Sequence, residues 1–274
     1  DKDQQATPMG VAAPTTSPWL SILVIIFVAA LVMRWFSAAL YDFIIVRMTS
    51  RWYRVVLDRM HENQSLLDIG IGTATGLTRN KSVVKKKKLH VVGIDYEAAY
   101  IERAEKVLAW NRLSDLVRVR CKSIYDPGVP TLISADLYEL LQKNSSEKNN
   151  NVVGDDDEDE NKMQQRFDAA YFSGSLTLMP DPPAALKVAA TMCKPGAPIY
   201  ITQTFQLQHS PVAEIIKPLM KYLTTIDFGQ LTYLSKLDEI ASKAGMEIEA
   251  NTPIEGSVQN RWQSARLVVM RSKE

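Results

Sequence analysis

The chain has 274 residues, which is enough for one ordinary domain and an additional segment. Apolar residues make up 46% of the sequence, so a full-size core can be buried. The formal net charge at pH 7 is +1, and the composition therefore does not favour nucleic-acid binding. Two cysteines, Cys121 and Cys193, cannot make a disulfide framework, and we interpret both as small buried side chains.

The N-terminal part of the chain changes from polar to strongly apolar. Residues 1–18 are polar and rich in proline, and we expect them to be disordered. Ser21 is the one polar side chain in residues 19–33, and the apolar character continues to Leu40. This length is sufficient for a bilayer, so we predict a transmembrane helix over residues 19–40. A buried core helix and the remnant of a targeting sequence are the alternatives.

Arginines follow this apolar stretch and give it a predicted orientation. By the positive-inside rule they place the rest of the chain on the cytosolic side of a membrane, as a single-pass protein whose partners include the lipid bilayer. Arg47, Arg51 and Arg54 also fall on one face of an amphipathic helix over residues 41–60. That face is either solvated or in contact with anionic headgroups.

From Ser65 onwards, short apolar stretches alternate with helix-length segments. The predicted strands are residues 66–69, 89–94, 117–121, 167–172, 199–204, 246–250 and 265–270. The predicted helices are residues 74–80, 97–111, 182–193, 212–223 and 235–244. This alternation predicts an α/β domain over residues 41–274, with a doubly wound, mostly parallel seven-stranded sheet. The last two strands are separated by a loop alone, so we expect them to pair antiparallel at one edge of the sheet, which gives an antiparallel edge strand.

Two polar stretches interrupt this pattern. Residues 144–165 contain almost nothing to bury and predict a disordered acidic insertion before the strand at residue 167. The four lysines at residues 85–88 predict a solvated surface loop.

Residues 66–76 form the most informative segment, a predicted strand followed by a glycine turn and a helix. Gly70 and Gly72 allow the backbone to bend tightly and to approach a ligand closely. Asp68 lies at the tip of this strand, where its carboxylate suits a cationic amino group. Asp95 ends the next strand, where a carboxylate can accept hydrogen bonds from ribose hydroxyls. Together these residues predict a ligand that contains a nucleoside.

Residues 67–76 resemble motif I of the class I, Rossmann-like S-adenosylmethionine (SAM)-dependent methyltransferases. Residues 168–176 are similar to the fourth-strand motif of that family. Residues 179–182 and 193–196 resemble a stretch that is common in its small-molecule and lipid-quinone subgroup. The resemblance extends over residues 53–270, and it implies a methyltransferase with SAM as its cofactor.

The resemblance also implies roles for individual residues. Gly70 and Gly72 would pass under the methionine part of SAM, and Asp68 would face its amino group, directly or through water. Asp95 would hold the ribose, and Tyr96 would lie along the adenine edge.

Two further residues would border the cofactor, and two positions depart from the family pattern. Ser173 and Gly174, at the end of the fourth strand, would border the transferred methyl group. The family usually has an acidic residue near the adenine amino group, where this chain has Ser123, with Asp126 three residues later. The third glycine of motif I is Ala74 here, and a small side chain is sufficient at that place.

Methyl transfer from a sulfonium is an in-line displacement that depends largely on positioning. His209, in the loop after the fifth strand, is the candidate general base, and a surface histidine is the alternative. No cluster of His, Cys and carboxylates has metal-ligand spacing, so no metal is expected. Together with the predicted membrane helix, the sequence favours a small-molecule or lipid-like acceptor.

Three other functions compete with this one. A membrane-anchored enzyme of the same family would methylate protein side chains instead. An NAD(P)-dependent reductase is disfavoured, because Gly70, Gly72 and Gly76 do not give the G-x-G-x-x-G spacing. A non-catalytic relative would keep the fold as a scaffold or assembly factor.

Overall fold

A seven-stranded mixed sheet forms the centre of the computed structural model, which describes residues 18–146, 165–208 and 232–273. Its strands are β1 Ser65–Ile69, β2 His90–Asp95, β3 Val117–Cys121, β4 Ala169–Ser173, β5 Ile199–Gln206, β6 Met246–Pro253 and β7 Gln263–Ser272. The strand order is β3-β2-β1-β4-β5-β7-β6, and β1 to β5 pair in parallel. The predicted mostly parallel, doubly wound sheet is therefore confirmed.

The predicted antiparallel pairing of the last two strands at one edge is confirmed, but the antiparallel strand is not itself the edge strand. β7 pairs antiparallel with both β5 and β6, so it lies one position inside the edge and β6 is the edge strand. Burial explains this order, because side chains of β7 are buried along most of its length whereas those of β6 mostly remain partly exposed. A strand that is apolar on both faces is stable only between two neighbours.

Helices cover both faces of the sheet. They are α1 Pro18–Arg59, α2 Thr75–Thr78, α3 Lys81–Lys87, α4 Ala98–Trp110, α5 Val129–Ser146, α6 Pro182–Met192 and α7 Lys236–Ala244. The first four pack in one core and the last three in another. The sequence did not predict α5, which begins beside Gly128 and Pro130; proline is well tolerated in the first turn of a helix.

Helix α1 is continuous over 42 residues and includes both the apolar stretch and the amphipathic stretch that follows it. Within the described ranges, no helix combines the length and the apolar content that are needed to cross a bilayer. The prediction of a transmembrane helix over residues 19–40 therefore lacks support.

The arginine face of α1 is largely engaged by the protein itself. Arg54 Nε donates to Asp58 Oδ2 at 2.8 Å, and Arg51 donates to the backbone oxygen of Gly256 in the β6–β7 loop. Arg47 is exposed. Two of the three arginines thus have protein partners, which favours the alternative without lipid headgroups.

The lysine-rich stretch is mostly helical, contrary to the predicted surface loop. Residues 85–87 form the last turn of α3, and Lys88 ends the helix in a left-handed conformation. Lys87 Nζ donates to the carbonyl oxygens of Leu57, Asp58 and Met60, at 2.9, 2.9 and 2.7 Å. The Lys87 ammonium group thus donates hydrogen bonds to carbonyl oxygens at the C-terminal end of α1. A cation at this end of a helix also complements the helix dipole.

Several predictions fall outside the described residues. They are the disordered segment up to residue 17, residues 147–164 of the insertion, the helix over residues 212–223, and His209. Helix α5 ends at Ser146, within the range predicted for the insertion.

We expect Lys87→Met to lower the free energy of unfolding by about 1–2 kcal/mol, because three carbonyls lose a charged donor. Lys86→Met removes the same charge from the neighbouring exposed position and should change stability by less than about 0.5 kcal/mol. Urea unfolding followed by circular dichroism measures both values. Equal destabilisation by the two variants would contradict a capping role for Lys87.

Candidate cofactor site

The turn after β1 is closely packed on one side and open on the other. Gly70 and Gly72 have φ values of +80° and +57°, which glycine adopts without strain. A Cβ at Gly70 would lie 2.4 Å from Ser175 Cβ, so this position excludes any side chain. A Cβ at Gly72 would have no atom within 4 Å. The turn therefore leaves space for a ligand beside Gly72.

Asp95 joins the tip of β2 to this turn. Its Oδ2 accepts a hydrogen bond from Gly72 N–H at 2.9 Å, and its Oδ1 accepts one from Glu97 N–H at 3.0 Å. Each carboxylate oxygen can accept more than one hydrogen bond. Two backbone donors thus fix the orientation of a carboxylate that still has capacity to accept from ribose hydroxyls.

Asp68, at the tip of β1, is fully buried and only half satisfied. Its Oδ2 accepts a hydrogen bond from Tyr53 Oη at 2.7 Å, whereas Oδ1 has no partner among the described residues. Burial raises the pKa of Asp68 to about 7; the Tyr53 hydrogen bond opposes this shift and the charge of Asp95 adds to it. A buried carboxylate oxygen without a partner is unfavourable, and a cationic group fits this place.

The other predicted residues lie at the same, carboxyl edge of the sheet. Tyr96 follows β2 with 80% of its side chain exposed, and Ser173 and Gly174 follow one another at the end of β4. Ser123 follows β3, and its N–H donates to Asp126 Oδ2 at 3.2 Å. Asp126 therefore folds back toward the position where the family usually has its acidic residue.

Helix α1 supplies two residues that sequence reasoning did not assign to the site. Trp52 Nε1 donates to Ser257 Oγ at 3.0 Å, and its ring would lie 3.3 Å from a Cβ at Gly174. Tyr53 contacts Asp68, as described above. The one relevant signal in the sequence is the glycine at position 76. In the structure it leaves room for the Tyr53 ring, which a Cβ at this position would approach to 2.7 Å. Taken alone, Trp52 and Tyr53 look like an ordinary apolar helix face.

The described residues include no group of three or more His, Cys, Asp and Glu side chains that could hold a metal ion. The candidate base His209 lies outside the described residues and stays a prediction. The site is therefore defined by two carboxylates and an open glycine turn.

Comparison with solved structures identifies proteins of the same fold. The [4+2]-cyclase SpnF superposes with a TM-score of 0.55 at 16% identity, over 81% of each chain. The mitomycin 7-O-methyltransferase MmcR gives 0.53 at 14% identity, over 83% of this chain and 54% of that one. A geranyl diphosphate C-methyltransferase from Streptomyces coelicolor A3(2) gives 0.53 at 10% identity, over 82% and 78%. At such identities the likeness establishes the fold alone.

Comparison of the sequence with family models is more specific than the comparison of folds. No curated protein matches the sequence closely enough to count as a relative. A family model described as a methyltransferase domain matches residues 47–251, well over half of the 274 residues. The match includes the glycine turn, both carboxylates, and β1 to β5. The chain therefore belongs to the methyltransferase domain family and is a class I SAM-dependent methyltransferase.

Proposed function

We propose that this enzyme transfers the methyl group of SAM to a small apolar acceptor at the carboxyl edge of the sheet. The observation that carries the proposal is the arrangement of Asp68 and Asp95 at neighbouring strand tips, on either side of an open glycine turn. A ligand with a cation at one end and a ribose in the middle matches this arrangement.

The residues fit the cofactor from one end to the other. Asp68 Oδ1, which has no partner among the described residues, would accept a hydrogen bond from the α-ammonium group, and Asp95 would accept from the ribose hydroxyls. Tyr96 and Ser123 would lie beside the adenine ring. We propose these roles from the position of each residue at the carboxyl edge, which is where open α/β sheets bind nucleotides.

When bound, SAM supplies a methyl group that is activated by a positively charged sulfur. The contribution of the protein is to orient the two reactants and to exclude water. Ser173 and Gly174 border the place of transfer, and the buried Trp52 ring lies against Gly174 and keeps water from that side. A general base is needed only for an acceptor that carries a proton, and His209 remains the candidate.

Apolar side chains at the carboxyl edge support an apolar acceptor. Leu178 after β4, Leu207 after β5 and Trp262 before β7 are exposed by 60%, 43% and 49%. Leu207 N–H donates to Trp262 O at 2.8 Å, so these two residues are neighbours. Large apolar side chains exposed together are typical of a binding surface. Among proteins of the same fold, one methylates geranyl diphosphate and another methylates mitomycin.

The N-terminal part of α1 supports attachment to a membrane as a second element of the proposal. All side chains of residues 21–28 are exposed, and seven of these eight residues are apolar. Because eight consecutive residues cover more than two turns, the apolar surface surrounds the helix. A protein groove covers one side of a helix, whereas acyl chains surround it. The arginines that follow the apolar stretch support a catalytic domain on the cytosolic side.

We expect Asp95→Ala to abolish micromolar SAM binding. The ribose hydroxyls would lose their hydrogen-bond acceptor, and Gly72 N–H in the glycine turn would lose its partner. Asp115→Ala is the matched control, since it removes an exposed carboxylate that pairs with Lys143 near the amino end of β3. Isothermal titration calorimetry measures both variants. SAM affinity in Asp95→Ala equal to that of the wild type would refute the site.

Incubation of the full chain with membrane extracts and methyl-labelled SAM tests the acceptor. We expect the label in the organic-solvent fraction, and we expect Asp95→Ala to transfer none. Label found only in protein would instead support side-chain methylation. SAM binding without transfer to any fraction would support a non-catalytic scaffold.

Flotation with lipid vesicles tests the attachment. We expect the wild type to float and the double variant Ile25→Asp, Phe27→Asp to remain in solution, since each charge opposes insertion by about 2–3 kcal/mol. Trp110→Asp, which changes an exposed apolar residue of α4, should float as the wild type does. Wild-type protein found only in the aqueous fraction would contradict the proposal.

A further inference from the structure

Helix α1 contacts Asp68, in the proposed cofactor site, through one buried tyrosine. The Tyr53 hydroxyl donates to Asp68 Oδ2 at 2.7 Å. Its ring packs edge-on against Tyr171 of β4, with ring centroids 5.0 Å apart and an interplanar angle of 88°. Gly76 of α2 leaves the space that the ring occupies. The three contacts fix both the ring and the hydroxyl of Tyr53.

The two oxygens of Asp68 are consequently unequal. Oδ2 is engaged by Tyr53, while Oδ1 is buried and has no hydrogen-bond partner in the described part of the chain. Rotation of the carboxylate plane away from this orientation would break the bond to the hydroxyl. Tyr53 therefore fixes the orientation of the carboxylate, and with it the direction in which the second oxygen can meet a ligand.

We propose that Tyr53 is a positioning residue that holds Asp68 Oδ1 toward the α-ammonium group of SAM. This inference rests on the proposed cofactor site and extends it to a residue outside the glycine-turn motif. It concerns the amino-acid end of SAM alone, because Tyr53 contacts Asp68 and not Asp95. The ribose and the adenine should be bound equally well without the Tyr53 hydroxyl.

The proposed role of Tyr53 predicts how SAM affinity depends on pH. The groups that face Asp68 are Tyr53 of α1, Tyr171 of β4 and Asp95 of β2, all of them neutral or acidic. Ionised Asp68 attracts the ammonium group and protonated Asp68 does not, so SAM affinity should fall as the pH decreases through about 7. The Tyr53 hydrogen bond lowers the pKa of Asp68, so its loss should move this acid limb to higher pH.

The variant Tyr53→Phe keeps the ring and removes the donor. We expect it to weaken SAM binding about tenfold at pH 7.5, which is the loss of one charge-assisted hydrogen bond. We expect the binding of 5′-methylthioadenosine, which lacks the amino-acid end of SAM, to be unchanged. Calorimetry with both ligands between pH 5.5 and 8.5 measures the affinities and the position of the acid limb.

Tyr138→Phe is the matched control. It also removes a tyrosine hydroxyl, which accepts a hydrogen bond from Gln142 Nε2 at 2.7 Å, but it lies on α5 and leaves the Tyr53–Asp68 bond intact. We expect the SAM affinity of this control variant, and the pH at which that affinity falls, to equal those of the wild type. Thermal unfolding without ligand reports whether the two variants are folded to the same extent.

Three outcomes would overturn the inference. In the first, Tyr53→Phe retains wild-type SAM affinity and its acid limb does not move. In the second, it loses SAM and 5′-methylthioadenosine to the same extent, as expected if Tyr53 only supports the fold. In the third, the wild type itself binds neither ligand. That result would also refute the proposed function, whereas the first two outcomes would refute the role of Tyr53 alone.

Discussion

The hydrogen bond from Gly72 N–H to Asp95 is the constraint on which the cofactor site depends. It joins the turn after β1 to the tip of β2, and parallel pairing of these two strands sets the distance between them. Glycine is required at Gly70 because Ser175 occupies the space of a side chain there. The Gly72–Asp95 hydrogen bond and the absence of a side chain at Gly70 thus together shape the open side of the turn.

The two carboxylates differ because their surroundings differ. Asp95 lies at the rim, where two backbone N–H groups hold its orientation. Asp68 is enclosed between β1, α1 and β4, where burial raises its pKa to about 7. The first is suited to neutral hydroxyls and the second to a cation. In the proposed site, charge recognition would therefore be a property of the interior, whereas recognition of the sugar would belong to its edge.

Local patterns in the sequence were sufficient to predict the sheet and the glycine turn, since both depend on spacing within a few residues. They did not reveal that β7 lies inside β6, because that order depends on which strand finds two neighbours. Lys87 was misread for a similar reason, as its partners belong to a helix about thirty residues earlier in the chain. Tyr53 was missed because the pattern of α1 identifies an apolar face but does not show that the Tyr53 hydroxyl within it meets Asp68.

The length of α1 sets a fixed reach between two parts of the molecule. At about 1.5 Å per residue, the 26 residues that separate Phe27 from Tyr53 correspond to about 39 Å along the helix axis. In the proposed attachment to a membrane, such a helix would act as a rigid spacer, so its tilt would set the height of the cofactor site above the bilayer. A steep helix would favour acceptors that leave the bilayer, and a shallow one would favour acceptors that remain within it.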